Sequence, residues 1–376
     1  MYLIMTPGPT EVRENVRAQL SRPCTNPDLD PSFYEFYHET CGLLEQAFHT
    51  DSRAFILDGE GMLGLEAAFA SLTEPGDRVL VISNGIFGKG NADLIKIYGG
   101  ETVLYEADWR RPLDPDDLRS FLKQDHDFKY AAVVHCDTPT GVLNDILAIS
   151  RLLDEYGIMT VADSVSAMFA VSLDLSEGSI DILCGGSQKA LSAPPGLSTV
   201  HVSERAFRSM KNRKTPIASF YANLLLMEPY YENRWFPYTM PIADLHAFRQ
   251  ALDNFLADPD VFKRHAAVAE ATRTAAREAG LKLYLDSGFS DSVTVLEIPE
   301  GITYEELFRE MLEHNVMIAG AFDELQGRVI RIGHMGENCR PEKVGTALAA
   351  LDAVLTSHGI HLDTSLSKAF YKKLYL

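Results

Sequence analysis

Cysteine is scarce in this chain, with five in 376 residues. Cys24, Cys41, Cys136, Cys184 and Cys339 are far apart, and no two have the CxxC spacing of a zinc or redox site. They read as reduced thiols in a reducing compartment. No segment approaches the ~18 uninterrupted apolar residues of a membrane span. The opening MYLIMTPGPTEV has no basic flank and meets Pro7, so it is not expected to act as a signal peptide. Cations are also in deficit: Lys and Arg number 34 against 53 Asp and Glu, a net charge of −19. That balance argues against nucleic-acid or anionic-membrane partners, which need clustered positive charge, but leaves room for a small anion in a locally basic pocket. Repeats and low-complexity stretches are missing too. The expectation is a soluble, cytoplasmic protein.

What is present is ordinary globular composition, 46% hydrophobic and 23% charged, in a length that suits two domains or one with an appendage. Apolar strands alternate with loops and helical patterns. RAFIL (53–57) leads to a helix over 63–72, and RVLVIS (78–83) follows a Glu-Pro-Gly-Asp turn. AAVVHC (131–136), a helix over 146–157, IMTVAD (158–163) and IDILCGGS (180–187) continue the series. Val/Ile-rich strands alternating with helices predict an α/β fold with a mainly parallel sheet covered on both faces. Ligands on such sheets bind at the carboxyl ends of the strands. Past about residue 255 the pattern becomes a smaller α+β unit, with a helical run over 258–280, strands at 293–298 and 328–333, and helices over 304–315 and 341–357, the last closing the core. The segment 233–242 (NRWFPYTMPI) is aromatic and twice broken by proline, and is expected to lie against another subunit.

Gly59-Glu60-Gly61-Met62-Leu63-Gly64 fits G-x-G-x-x-G between a strand and a helix. It lies more than fifty residues into the chain, and the next strand ends at Ser83-Asn84 rather than at an acid that could hold a ribose. A nicotinamide site is therefore disfavoured. Free N–H groups at a helix start favour an anion, yet Glu60 at that turn would repel a phosphate; its plainer role is a helix cap.

Lys189 follows Cys184-Gly185-Gly186-Ser187 and precedes Ala193-Pro194-Pro195-Gly196. Small residues before it leave room for a flat ligand, and a rigid turn follows. A lysine so held can form a Schiff base with an aldehyde. Asp163, at the end of its strand, can accept the N–H of a ring nitrogen and keep the ring cationic, which is the chemistry of pyridoxal. Arg331 interrupts an apolar strand, where an unpaired guanidinium is costly. Either an internal salt bridge or a bound carboxylate would satisfy it.

Ser187-Gln188-Lys189-Ala190-Leu191 with the APPG turn, Ala162-Asp163-Ser164-Val165-Ser166 upstream, and the span from Thr6-Pro7-Gly8-Pro9-Thr10 to Arg331-Ile332-Gly333 resemble the class V aminotransferases of fold type I. The resemblance implies an N-terminal arm (1–18), a large cofactor domain with a seven-stranded-type sheet (19–257) and a small C-terminal domain (258–376). It implies Lys189 as the Schiff-base lysine and proton shuttle, Asp163 on the ring nitrogen, Phe87 on the ring face, Thr138 beside the ring hydroxyl and Gln188 at the anionic end. Glu60, Gly61, Met62 and Val165 complete the cofactor set, Gly8 and Arg331 meet the substrate, and Thr239 serves a neighbouring subunit's site. The active unit implied is a homodimer or a tetramer of dimers, with no metal.

Glu60 followed by Leu63-Gly64-Leu65-Glu66-Ala67-Ala68, with Gly88-Lys89-Gly90, Asp137-Thr138-Pro139, the run 202–206 and Arg331-Ile332-Gly333-His334-Met335-Gly336, is most similar to pyridoxamine–pyruvate aminotransferases. Those use unphosphorylated pyridoxal and pyridoxamine as substrates. Phe322 stands where they carry a further arginine. The alternative is a pyridoxal 5'-phosphate enzyme passing an amino group from alanine or serine to glyoxylate or pyruvate. A cysteine desulfurase would need a loop cysteine before Arg331, where 319–322 offers none, and a vitamer-binding protein would have no need of Lys189.

Overall fold

The computed structural model describes residues 2–376. Seven strands form its central sheet: β1 (Arg53–Asp58), β2 (Arg78–Ser83), β3 (Glu101–Glu106), β4 (Tyr130–Val134), β5 (Met159–Asp163), β6 (Ile182–Gly186) and β7 (Leu197–Val202). Their order across the sheet is β1-β7-β6-β5-β4-β2-β3. Strand β7 runs antiparallel to both its neighbours, and every other pairing is parallel. Strands β4, β5 and β6 are buried along their whole length, as unbroken Val, Ile, Ala and Leu runs demand. Two strands escape the sequence pattern. Edge strand β3 (ETVLYE) is only half-covered, so polar residues dilute its signal, and β7 follows the Pro-Pro-Gly turn too closely to stand out.

Helices α1 (Pro31–Ala47), α2 (Gly61–Leu72), α3 (Ile86–Ile97) and α4 (Ile146–Glu155) belong to this part of the chain. Helix α2 starts two residues before the predicted Leu63, because the Glu60 side chain caps it by accepting from the Met62 N–H. Helix α5 (Ile242–Leu256) completes a core that runs from Val16 to Leu252 and takes in Met335.

A second core gathers Val268 to Phe370 together with Met5. It joins strands β8 (Val293–Glu297), β9 (Ala319–Gly320) and β10 (Val329–Gly333), ordered β8-β10-β9 and antiparallel, to helices α6 (Val261–Glu278), α7 (Tyr304–Glu313), α8 (Pro341–Ser357) and α9 (Leu366–Tyr375). Helix α9 corrects the expectation that α8 closes the core. Its apolar face is only Leu366, Ala369 and Phe370, a short stripe among lysines and tyrosines. A third, smaller cluster pairs Ile86, Cys136 and Val142 with Tyr284, Val293 and Val329 and stitches the two parts together. No helix of the described residues is long and apolar enough to cross a membrane, and all five cysteines are free.

The segment 233–242 lies partly against its own chain. Phe236 is buried and stacks on Tyr34 of α1 at 5.0 Å between ring centroids. Trp235 stays exposed, as do Phe220 and Tyr221 nearby.

The N-terminal residues belong to the second core. Leu3–Ile4 pairs in parallel with Val316–Met317, and the Gly333 N–H donates to the Met5 carbonyl at 2.7 Å. A Cβ at Gly333 would stand 2.5 Å from the backbone of Pro7, which cannot rotate away. Gly333→Ala is therefore expected to destabilise the fold by about 1–3 kcal/mol in denaturant titration; an unchanged midpoint would show that the arm is not wedged there.

Candidate active site

Five loops leave the carboxyl ends of β1, β2, β4, β5 and β6, and their side chains meet. They wall a cavity of about 120 Å³ lined by Glu60, Met62, Leu65, Phe87, Cys136, Asp163, Val165, Ser166, Gln188 and Lys189. Seven of these are residues the sequence singled out.

Lys189 is partly buried, and its Nζ donates to the Pro7 carbonyl at 2.7 Å. Gly8 makes room for it. Its φ of +95° is one that L side chains rarely adopt, and a Cβ there would stand 2.8 Å from Nζ. Burial, aided by the Arg331 charge, lowers the Lys189 pKa to about 8, so a larger share of the amine is neutral and nucleophilic near physiological pH than for an exposed lysine.

Asp163 is buried at the end of β5. Its Oδ1 accepts from the Val165 N–H at 2.9 Å, and Oδ2 has no partner among the described residues. Burial raises its pKa to about 6, against the Val165 hydrogen bond and with the help of Asp137. Lys189 and Asp163 do not form an ion pair with each other: each is desolvated and faces the cavity.

At the start of α2, Glu60 Oε1 accepts from the Met62 N–H at 3.2 Å and Glu60 Oε2 accepts from Gln188 Nε2 at 3.0 Å. With Nε2 so committed, Gln188 Oε1 is left buried without a partner. A Cβ on Gly61 would lie 2.8 Å from Val165, so α2 packs tightly on the loop after Asp163.

Arg331, on β10, donates through Nε to the Gly320 carbonyl at 2.6 Å and forms no ion pair among the described residues. The internal salt bridge weighed from sequence is not built. Burial lowers its pKa to about 10, while Asp137 raises it. The guanidinium stays charged, with its outer nitrogens free for a carboxylate.

Phe87 is the second residue of α3, and its ring meets Phe322 edge-on at 5.6 Å and 72°. Its N–H donates to Asp137 Oδ2 at 2.7 Å, and the Gly88 N–H reaches the same oxygen at 3.4 Å. Asp137 was missed as a site residue. It is fully buried, and burial holds its pKa above the usual carboxylate range. The Asp-Thr-Pro run was its only local signal, because its partners lie fifty residues earlier. Leu65, Cys136 and Ser166 were also missed. Thr138 is buried behind the wall, with Oγ1 3.3 Å from Ser166 Oγ. Thr239 is exposed and touches nothing in this cavity.

The cysteines offer no nucleophile here. Cys136 lines the cavity, but burial pushes its thiol up to about 11, and Cys339 is packed in the second core with its thiol at about 12.

An amine with its pKa lowered to about 8, a buried acid with a free oxygen and a cavity lined in part by Phe87 and Val165 can together seat an aromatic aldehyde. The chain matches the model of the aminotransferase class-V family over residues 32–278. It belongs to the class V aminotransferases. It is 32% identical to the pyridoxamine–pyruvate transaminase of Mesorhizobium japonicum over 95% of this chain and 92% of that protein. It is 33% identical to the (S)-ureidoglycine–glyoxylate transaminase of Bacillus subtilis over 96% and 92%. The crystal structure of the latter organism's ureidoglycine–glyoxylate aminotransferase superposes with a TM-score of 0.95 at 32% identity, covering 99% of this chain and 98% of that one. The protein is thus an aminotransferase of the fold type I α/β class. Class V aminotransferases depend on pyridoxal phosphate, and the residues present fit its ring: Asp163 Oδ2 for the ring nitrogen and Lys189 Nζ for the aldehyde carbon.

The raised pKa of Asp163 has a measurable cost. In the vitamer-free protein the folded state holds this proton more tightly than the unfolded chain does, so stability falls as pH rises from about 4 to about 6. Asp163→Asn removes that cost. Its unfolding free energy, read by denaturant titration at a series of pH values, is expected to gain on the unaltered protein as pH rises through this window, by on the order of 3 kcal/mol; a difference independent of pH would contradict the burial argument.

Proposed function

We propose that this aminotransferase takes an unphosphorylated vitamer as its substrate, moving the amino group of pyridoxamine to pyruvate to give pyridoxal and L-alanine. One observation carries this reading: the end of the cavity where an anion would sit at the α2 N-terminus is furnished with acceptors. Glu60 already caps the helix, its second oxygen is held by Gln188, and the unpaired Gln188 Oε1 is another acceptor. A hydroxymethyl group can donate to such an end; a phosphate dianion cannot. At 4 Å and an effective dielectric of 20, two unit charges repel by about 4 kcal/mol, less here because Glu60 is solvent-exposed. The Mesorhizobium relative, named for this pair of substrates, supports the same reading.

When bound, the protonated pyridine ring draws electron density from the carbon that exchanges its proton. The chain's own groups do the rest. While free, Lys189 Nζ would take and return the proton; it would then displace the product amine from the vitamer's aldehyde carbon, and water would release pyridoxal and free the lysine again. Asp163 Oδ2 accepts the ring N–H and keeps that proton in place. Phe87 and Val165 hold the ring faces, Thr138 stands on the side of the ring hydroxyl with Ser166, and Gly61 and Met62 shape the α2 turn. Arg331 grips the substrate carboxylate, with Gly8 leaving it space beside Lys189. A single free guanidinium, with Phe322 nearby, suits a monocarboxylic oxo acid. The exposed Phe220, Tyr221, Trp235 and Thr239 form the face through which a second copy completes the site, giving a homodimer.

Purified protein mixed with pyridoxamine and pyruvate is expected to produce pyridoxal, followed by its absorbance. Absence of turnover, with phosphorylated cofactor retained in a native mass spectrum, would instead support the phosphate-bearing alanine or serine to glyoxylate or pyruvate reaction. Glu60→Ser is expected to raise affinity for pyridoxal phosphate at least tenfold; unchanged affinity would remove Glu60 from the argument.

A further inference from the structure

Ser192 stands three residues after Lys189 with a φ of +58°, a backbone state uncommon for a non-glycine residue. Glycine would hold that backbone more easily, but serine alone of the two supplies a hydroxyl there. That hydroxyl is buried, and three polar groups converge on it and its neighbour. The Glu337 N–H donates to Ser192 Oγ at 2.8 Å. Ser192 Oγ lies 3.0 Å from Thr10 Oγ1, and Thr10 Oγ1 donates to the Lys189 carbonyl at 2.9 Å. Each hydroxyl has one proton, so the directions are determined. Glu337 donates to Ser192, Ser192 donates to Thr10, and Thr10 donates to Lys189. Both hydroxyls are satisfied in a one-way chain, an arrangement in which neighbouring bonds strengthen one another.

Both ends of the chain are anchored. On the side of the second core, the Gly336 N–H donates to His265 Nε2 at 2.9 Å, and the Glu337 carboxylate is held by Arg13 at 2.6 Å and Arg340 at 2.9 Å. Gly336 is pressed so closely on Ala190 and Ser192 that a Cβ would clash with both. On the lysine side, the Thr10 N–H donates to the Gln188 carbonyl at 3.0 Å, and three residues earlier the Pro7 carbonyl receives Nζ. The arm thus touches Lys189 at its backbone and at its amine.

We infer that Thr10 and Ser192 are positioning residues that tie the placement of the Met335–Asn338 turn, in the second part of the chain, to the placement of the Lys189 amine. The inference rests on Lys189 as the group that binds the vitamer. For an enzyme whose vitamer departs at each turnover, the free amine must return to one place, and the Pro7 carbonyl, held through Thr10, supplies it.

The test uses the vitamer-free protein, pulsed with acetic anhydride and followed at the Lys189 peptide by mass spectrometry. Ser192→Gly and Thr10→Val are expected to speed acetylation of Lys189 threefold or more, whereas Thr10→Ser, which keeps the hydroxyl, retains the original rate. In turnover, the first two lose about tenfold in kcat with KM for the oxo acid within twofold, because Arg331 is untouched. A merely structural Ser192 predicts the opposite: glycine suits its backbone, so Ser192→Gly would match or exceed the original melting temperature and leave both labelling and kcat unchanged. That result would overturn the inference, and it stays decisive if Thr10→Val fails to fold. Failure of the unaltered protein to bind pyridoxal covalently would overturn the role of Lys189 itself, an outcome separable from the labelling rates.

Discussion

An amine and a carboxylate are taken out of water at the ends of two adjacent strands and are not allowed to neutralise each other. Burying either group costs free energy unless something pairs with it. Here Lys189 has only a backbone carbonyl, and Asp163 has one N–H and one vacant oxygen. The cost is carried by the fully buried β4–β6 and the continuous core around them. What the fold gains is one cavity lined by two desolvated ionisable groups, the amine that the proposed reaction assigns to an aldehyde carbon and the acid it assigns to a ring nitrogen.

The same economy shapes the surroundings. Two helices direct their N-termini at the cavity, and each is met by an acid of this chain, Glu60 at α2 and Asp137 at α3. The partial positive charge that would draw in a phosphate is already answered at both. Arg331 forms no ion pair among the described residues and donates only to the Gly320 carbonyl, which is why the proposed reaction gives it the substrate carboxylate. Small residues then set the distances: Gly8 lets Lys189 reach Pro7, and Gly61 lets α2 close on Val165.

Much of this was legible in the amino-acid order, for a physical reason. Asp163 and Lys189 terminate or follow long apolar strands, and such strands announce their own ends. The parallel sheet and the glycine-bearing turns were readable in the same way. Strands β3 and β7 were not, one because an edge need not be apolar, the other because a rigid turn masks it. Asp137 and the Thr10–Ser192 chain were out of reach for another reason. Their roles depend on partners fifty to nearly two hundred residues away, and no local spacing encodes that meeting. Phe322 was noted as the residue standing in place of an arginine, but its edge-on contact with Phe87 emerged only in three dimensions.

The central claim is that one amine, opposite one buried acid, makes the covalent bond on which the chemistry depends. Hydride reduction of the protein saturated with pyridoxal, followed by peptide mapping, addresses it directly. The account predicts a single stable pyridoxyl mass on the peptide containing Lys189. A label on any other lysine, or none at all, would contradict it.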